Sequence, residues 1–445
     1  MTVLIQIIQF VIALGLLIAI HELGHFLFAK LFGIRVDKFF LFFDASDVKL
    51  LSTKTGWFSK LFPKAKNLET EYGIGWLPFG GYCKIAGMID ESMDTDHLNT
   101  EPKPWEFRSK PAWQRLCVMA GGVLFNFIFA IIAYSSILAI WGDTYLGNKG
   151  SKIYVNELAH EMGFRNGDEI LMFDDHQPED FRMLQADLAR HTAQKAIILR
   201  GKDTVTLYID HSMIGDVLNT PGMFDLAVPF KVKSVSEDSP NFGSDIMEGD
   251  MIFSIDSLPV SFVQDAWPIL EERKGCTAAV GIIRGRDTLT RMMQVDTAGK
   301  LGVLLVQPDF QKKDYTLISA IPAGMKKTFS TIGGYVQDLK LVATPSTEAY
   351  KSLGSFISIG QIFPPTWDWH IFLNLLALLS VMLGVMNLLP IPAIDGGHMV
   401  FTIYEMITGR KPSDKFLYIM QIIGMLLIFG LMFLAFGNDI ARLFR

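Results

Sequence analysis

The run "ALGLLIAIHELGHFLFAKLFG" (residues 13–33) puts two histidines and a glutamate near the end of an otherwise apolar stretch. Inside a bilayer each charged group costs roughly 2.5–3.5 kcal/mol at the centre on insertion scales. Residues retained against that cost point to chemistry. His21 and His25 are four apart, so on a helix they share one face, with about 5–6 Å between Cβ atoms. That spacing lets two imidazoles hold one tetrahedral zinc. Glu22, one residue on, sits where it can take a proton from water. A chance match on an ordinary helix is disfavoured here, because polar groups in apolar surroundings need partners or a metal. A catalytic zinc has three protein ligands and one open position, so a third ligand is required from elsewhere in the chain.

Outward from this run, three more stretches are long enough to cross a bilayer, which takes about 20 residues. They cover 116–141, 371–394 and 417–436, and with the first, 3–29, they occupy the two ends of the chain. Of 445 residues, 50% are hydrophobic and 19% charged, a balance that fits a membrane protein with a soluble part. The net charge of −6 argues against a nucleic-acid partner. Cys83, Cys117 and Cys276 are scattered and form no disulfide framework. The first run has no basic residue before it and no small-x-small site after it, so it reads as a retained helix rather than a signal peptide. Lys30, Arg35, Lys38, Arg108, Lys110 and Arg115 flank the loop at 31–115, and Arg410, Lys411 and Lys415 the loop at 395–415. By the positive-inside rule both loops are cytoplasmic. The termini and the polar middle then face outward.

The third run, "SVMLGVMNLLPIPAIDGGHMVF" (380–401), offers the missing ligand. Pro390 and Pro392 break regular helix, since each lacks an amide donor. Broken backbone at membrane depth is tolerated where it is buried in protein or lines a cavity. Asp395 follows, and its carboxylate either caps a helix start or completes the zinc site; we favour coordination. His398 is a rival ligand, read instead as a supporting or packing residue. Asn387 offers both a donor and an acceptor to an extended substrate backbone.

The polar middle carries a repeat. "NGDEILMFDD" (166–175) returns as "EGDMIFSIDS" (248–257), and "RGKDTVTL" (200–207) as "RGRDTLTR" (284–291). The spacing implies a duplicated unit of about eighty residues. Each copy reads as a Gly-Asp turn, a strand, a helix, and a hairpin tipped by Arg-Gly-Lys/Arg-Asp. This order resembles PDZ domains in the circularly permuted form of bacterial envelope proteases. PDZ domains take extended peptides by strand addition, and "LGVLLVQ" (301–307) resembles the peptide-binding strand. Compact spacers are the alternative. Residues 317–370 are open to two readings: "AIPAGMKKTFSTIGGYVQDLKLVA" (320–343) has apolar positions at helical spacing with Lys326, Lys327 and Lys340 between them. They read either as an amphipathic helix on the outer membrane surface or as a packed helix beneath the repeat.

HELGH in a first membrane helix, NLLPIPAIDGGH in a third, and a PDZ-like pair between the second and third together resemble the site-2 protease family, in its bacterial regulator-of-sigma-E branch. The resemblance implies that His21, His25 and Asp395 hold Zn2+ and that Glu22 is the general base. It implies that Asn387, Pro390 and Pro392 lie at the substrate. "EYGIGWLPFGGYCKIAGM" (71–88) is similar to the family's membrane-dipping β-hairpin, with Gly80 and Gly81 near the substrate strand. "AGGVLFNFIFA" (120–130) is similar to its second-helix motif, which puts Asn126 near the site; Gly121 and Gly122 also suit plain helix packing. Two departures stand out. The family's glycine-rich element after the first helix reads "VDKFFLFFDASDVKLL", and its Ser-Val-Asn-Leu reads Ser380-Val381-Met382-Leu383.

The expected fold is a polytopic α-helical membrane protein with four transmembrane helices, a membrane-associated β-hairpin, and two tandem PDZ-like α/β domains between helices 2 and 3. The expected segments are helix 1 (1–30), a cytoplasmic loop with the hairpin (31–112), helix 2 (113–141), PDZ-like units (142–222 and 223–310), and a linker with an amphipathic helix (311–370). Helix 3 (371–398) and a cytoplasmic turn with helix 4 (399–445) complete the chain. The expected function is a zinc-dependent intramembrane endopeptidase of a bacterial inner membrane, with the PDZ-like units on the periplasmic side. By the resemblance it cuts single-pass membrane proteins such as an anti-sigma factor or remnant signal peptides, with peptide termini or extended segments docking on the PDZ-like units. A non-proteolytic PDZ adaptor with a structural metal is the alternative, disfavoured because structural zinc needs no base. A metal transporter is disfavoured because one cluster replaces a chain of ionisable groups.

Overall fold

In a computed structural model, residues 2–78, 80–88, 101–308 and 310–444 are described. The chain divides into two units, one built from 1–142, 314–343 and 350–445, the other from 143–313 and 344–349.

The first unit is helical around one small sheet. Helix α1 spans Thr2–Leu31. Strands β1 (Val36–Leu41) and β2 (Lys49–Ser52), the short helix α2 (Gly56–Leu61), and strands β3 (Glu71–Gly75) and β4 (Tyr82–Ile85) follow. Next come α3 (Ala112–Trp141), α4 (Leu317–Val342), α5 (Phe356–Gln361), α6 (Trp369–Leu388), α7 (Asp395–Thr408) and α8 (Asp414–Leu443). Among the described residues, four helices are long and apolar enough to cross a membrane: α1, α3, α6 and most of α8.

Glycines bring α1 and α3 together. A Cβ on Gly24 would collide with the Gly121 backbone, and one on Gly121 would lie 2.7 Å from the Gly24 carbonyl oxygen. Helices in lipid associate through such small-residue contacts. On its other flank α3 packs Ala130, Ala133, Tyr134 and Ile137 against Ala377, Val381 and Val385 of α6. Ile332, Tyr335 and Leu339 of α4 join that cluster. Helix α4 therefore packs against the apolar helices, and it still presents Ile318, Ile321, Met325 and Phe329 outward.

The segment expected to form a hairpin is a sheet of four strands in the order β2-β3-β1-β4. Strands β3 and β4 do not pair with each other. β1 lies between them, parallel to β3 and antiparallel to β4. The reason is the aromatic run "VDKFF", whose strand is flanked on both edges and packed on α1, with Phe26 and Phe39 rings 5.5 Å apart. The sheet reaches deep along α1. A Cβ on Gly15 would meet Phe42 at 3.1 Å, and one on Gly81 would lie 2.6 Å from Ile18.

Helix α6 ends at Leu388, before Pro390 and Pro392. Its successor α7 begins at Asp395. The intervening loop folds back over the start of α7, where a Cβ on Gly396 or Gly397 would strike the loop backbone. Ala393 in that loop has φ 92°, a conformation that costs a non-glycine residue of order 1–3 kcal/mol.

The second unit realises the sequence repeat in space. Strands Glu169–Phe173, Lys195–Arg200 and Asp203–Tyr208 form one antiparallel sheet with helix Leu184–Arg190. Strands Met251–Ile255, Thr277–Arg284 and Asp287–Gln294 form its counterpart with helix Val263–Glu272. In each copy the Asp of the Gly-Asp turn is buried and held by the Arg of the hairpin. Arg200 bonds Asp168 at 2.9 and 2.8 Å, and Arg284 bonds Asp250 at 2.8 and 2.8 Å. Among the described residues, the strand Val303–Leu305 pairs on one edge only, with Val232–Val235.

Candidate metal centre

Three side chains from two helices converge. His21 and His25 face inward from α1, and Asp395 reaches them from the first turn of α7. His21 Nε2 lies 3.1 Å and His25 Nε2 3.3 Å from Asp395 Oδ2, and the two nitrogens are 3.2 Å apart. All three are largely buried. Ligands about 2.0–2.1 Å from a tetrahedral ion stand about 3.3–3.4 Å from one another. The observed triangle is close to one face of that tetrahedron, so the donor set fits zinc.

The hydrogen bonds around the triangle support the same reading. Asp395 Oδ2 is buried with no hydrogen-bond donor among the described residues, and Asp395 does not cap α7. A buried acceptor left this way costs about 1–3 kcal/mol, which a cation in the triangle would offset. His25 Nδ1 lies 2.8 Å from the Val118 carbonyl oxygen. A carbonyl only accepts, so Nδ1 carries the proton and Nε2 keeps its lone pair for a ligand. Metal-bound histidines commonly donate their second N–H in this way. Gly122 leaves the space that the imidazoles need, since a Cβ there would lie 2.5 Å from His25 Nε2 and 2.6 Å from His21 Cε1.

Glu22 is half-buried beside the triangle, within electrostatic reach of all three members and hydrogen-bonded by the Cys83 backbone of β4. The sheet thus borders the candidate base directly. Gly80 packs on Phe43 and Gly81 on Ile18, one turn before His21. Asn126 is fully buried, with its Nδ2 3.1 Å from His21 Nδ1. Its backbone carbonyl accepts from Ser380 Oγ at 2.8 Å, which pins α3 to α6 at that level. Asn387 is half-buried at the end of α6 and makes no side-chain hydrogen bond among the described residues. Pro390 is exposed, and Pro392 touches α8 through Gly424, whose Cβ would collide with the Pro392 carbonyl. His398 is not part of the metal-capable group. Sequence reasoning passed over the Val118 carbonyl, and it named Gly122 and Ser380 only as members of motifs, without the space for the imidazoles or the bond to the Asn126 carbonyl that they supply here.

Two histidines and a carboxylate converge where they could hold an ion, with a second carboxylate beside them. Such a centre carries out metal-assisted hydrolysis. The sequence profile of peptidase family M50 matches residues 9–431. The regulator of sigma-E protease RseP of Escherichia coli is 27% identical over 470 aligned positions, covering 98% of each chain. The protein of the same name from Salmonella typhimurium is 27% identical over 470 positions, covering the whole of both. A protein of Rickettsia conorii, provisionally named a zinc metalloprotease, is 26% identical over 446 positions, covering 99% of this chain and all of its own. The chain therefore belongs to peptidase family M50, the site-2 protease family of zinc metalloendopeptidases.

Proposed function

We propose that this chain cuts single-pass membrane proteins within the bilayer, on a zinc held by His21, His25 and Asp395, with Glu22 as general base. The observation that carries the reading is the triangle of ligand atoms, two of them on a helix long and apolar enough to cross a membrane, with Glu22 beside it. When bound there, zinc would acidify a water and polarise a scissile carbonyl. Glu22 takes a proton and later returns it to the leaving amine. Substrate must arrive unwound, because helical amides are already paired. Half-buried Asn387 offers a donor and an acceptor to that strand. Strand β4 runs past Glu22 through Cys83, and Gly80 and Gly81 give it the close approach to α1 that lets it border the substrate.

The repeated units of 143–313 are read as PDZ-like. The singly paired strand Val303–Leu305 leaves an edge for an extended peptide, by strand addition. They filter or hold the outer part of the substrate on the periplasmic side of a bacterial inner membrane, the side opposite the lysine- and arginine-rich loops. The substrate class is an anti-sigma factor or a remnant signal peptide, in line with the names of the sigma-E regulators it resembles.

The test is cleavage of a model single-pass substrate by purified chain in detergent, with Glu22→Gln alongside. Loss of at least about 10²-fold in rate, with zinc still bound, is expected. Equal rates would remove Glu22 from its role.

A further inference from the structure

We infer that residues 54–68 form a second membrane contact, a basic-aromatic anchor on anionic phospholipid headgroups at the membrane boundary. The stretch "KTGWFSKLFPKAKNL" contains Lys54, Lys60, Lys64 and Lys66, and no acidic residue occurs between Asp47 and Glu69. In α2 Ser59 is buried, while Trp57 and Leu61 on the opposite face are 62% and 64% exposed. Phe62 and Leu68 extend the apolar patch, at 51% and 47% exposed. Phe58 links it, with ring centroids 5.9 Å from Trp57 and 4.8 Å from Phe62. Lys60, Lys64 and Lys66 are exposed and have no ion-pair partner among the described residues.

An exposed apolar patch rimmed by cations marks an interaction site, and two observations select lipid as the occupant. One is position. Lys30, in the last turn of α1, bonds Glu69 at 2.7 Å, and Lys54 Nζ bonds the Glu69 carbonyl at 3.1 Å. The stretch therefore starts and ends level with the point where α1 leaves its apolar span. The other is charge. Unpaired lysines beside tryptophan, phenylalanine and leucine match the composition of segments that lie in an anionic interface, where each lysine contributes about fivefold in affinity. The consequence is mechanical. The anchor adjoins β2 and β3 and would fix the outer edge of the sheet whose inner edge borders Glu22. This inference rests on α1 spanning the membrane and not on the proteolytic reading.

The test uses the full chain in nanodiscs of phosphatidylcholine alone or mixed with phosphatidylglycerol. Limited chymotrypsin reads cleavage at residues 57–62 relative to exposed Phe242. Anionic discs should slow cleavage at 57–62 at least tenfold while leaving Phe242 unchanged. The combined Lys60→Glu, Lys64→Glu and Lys66→Glu variant, cleaved normally at Phe242, should erase the difference. Equal cleavage of the native chain in both lipids would overturn the proposal, as would protection that the charge-reversed variant retains. Protection that appears only when another protein is added would assign the patch to a protein partner instead.

Discussion

Asn126 offers His21 either an amide N–H or, after a half-turn, an amide oxygen. With Nδ2 toward His21 Nδ1, the ring would carry its proton on Nε2 and could not ligate through it. With Oδ1 there, His21 donates from Nδ1 and Nε2 turns its lone pair to the triangle, as His25 does through Val118. Either orientation leaves one buried amide atom unpartnered, so metal ligation decides between them. Sequence reasoning placed this residue near substrate; its full burial behind His21 favours an orienting role. Asn126→Asp, which still accepts from Nδ1, is expected to retain zinc. Asn126→Leu should lose about 10–100-fold in zinc affinity, read by competition with a chromogenic chelator. A substrate contact would instead raise KM with zinc affinity unchanged. His21, Glu22, His25 and Asp395 were legible because ionisable side chains in apolar runs need a reason. Their supports were not, since a backbone carbonyl such as that of Val118 leaves no mark in sequence.

Strand β1 shows where reading elements from sequence ran out. A strand flanked on both edges and packed on a helix has no alternating polar face, and a short continuous apolar run does not distinguish strand from helix. Hence "VDKFFLFF" gave no strand signal, and β3 and β4 read as a hairpin without the strand between them. The break after α6 was easier, because Pro390 and Pro392 stop a helix by chemistry alone, although the expected helix 3 ran to 398 and α6 ends at Leu388. The sheet's approach to α1 depends on Gly81, whose Cβ would lie 2.6 Å from Ile18 and 2.7 Å from the Phe40 carbonyl oxygen. Gly81→Val should lift β4 from α1 and carry the Cys83 backbone off Glu22. A displacement near 1 Å costs about 10²-fold in rate. The loss should fall on kcat, with zinc content unchanged, since no ligand lies on the sheet. Zinc loss in step with activity would mean that the sheet instead supports the metal ligands.

At the scale of the molecule, the duplication was legible as two matching phrases, but the bond that each phrase encodes was not. Asp168 and Arg200 are 32 residues apart, and Asp250 and Arg284 are 34 apart. The repeat therefore preserves a tertiary contact, with one ion pair locking the Gly-Asp turn of each copy to its hairpin. In the second copy the Arg284 hydrogen bonds hold the Asp250 carboxyl below the usual carboxylate range, helped by the Met247 backbone N–H. A carboxyl depressed in the folded state stabilises it at pH values above the unfolded pKa, about 3.9. That contribution is lost as the pH falls through the folded value. Asp250→Asn should remove it at neutral pH, at about 2 kcal/mol for charge-assisted bonds. Amide hydrogen exchange on the full chain would read this as roughly 30-fold faster exchange in Met251–Ile255 and Thr277–Arg284. Acidification should bring the native chain toward the variant's rates and change the variant little. Parallel acid responses in both would assign the acid sensitivity to other carboxylates and leave the Asp250 pair a geometric lock alone.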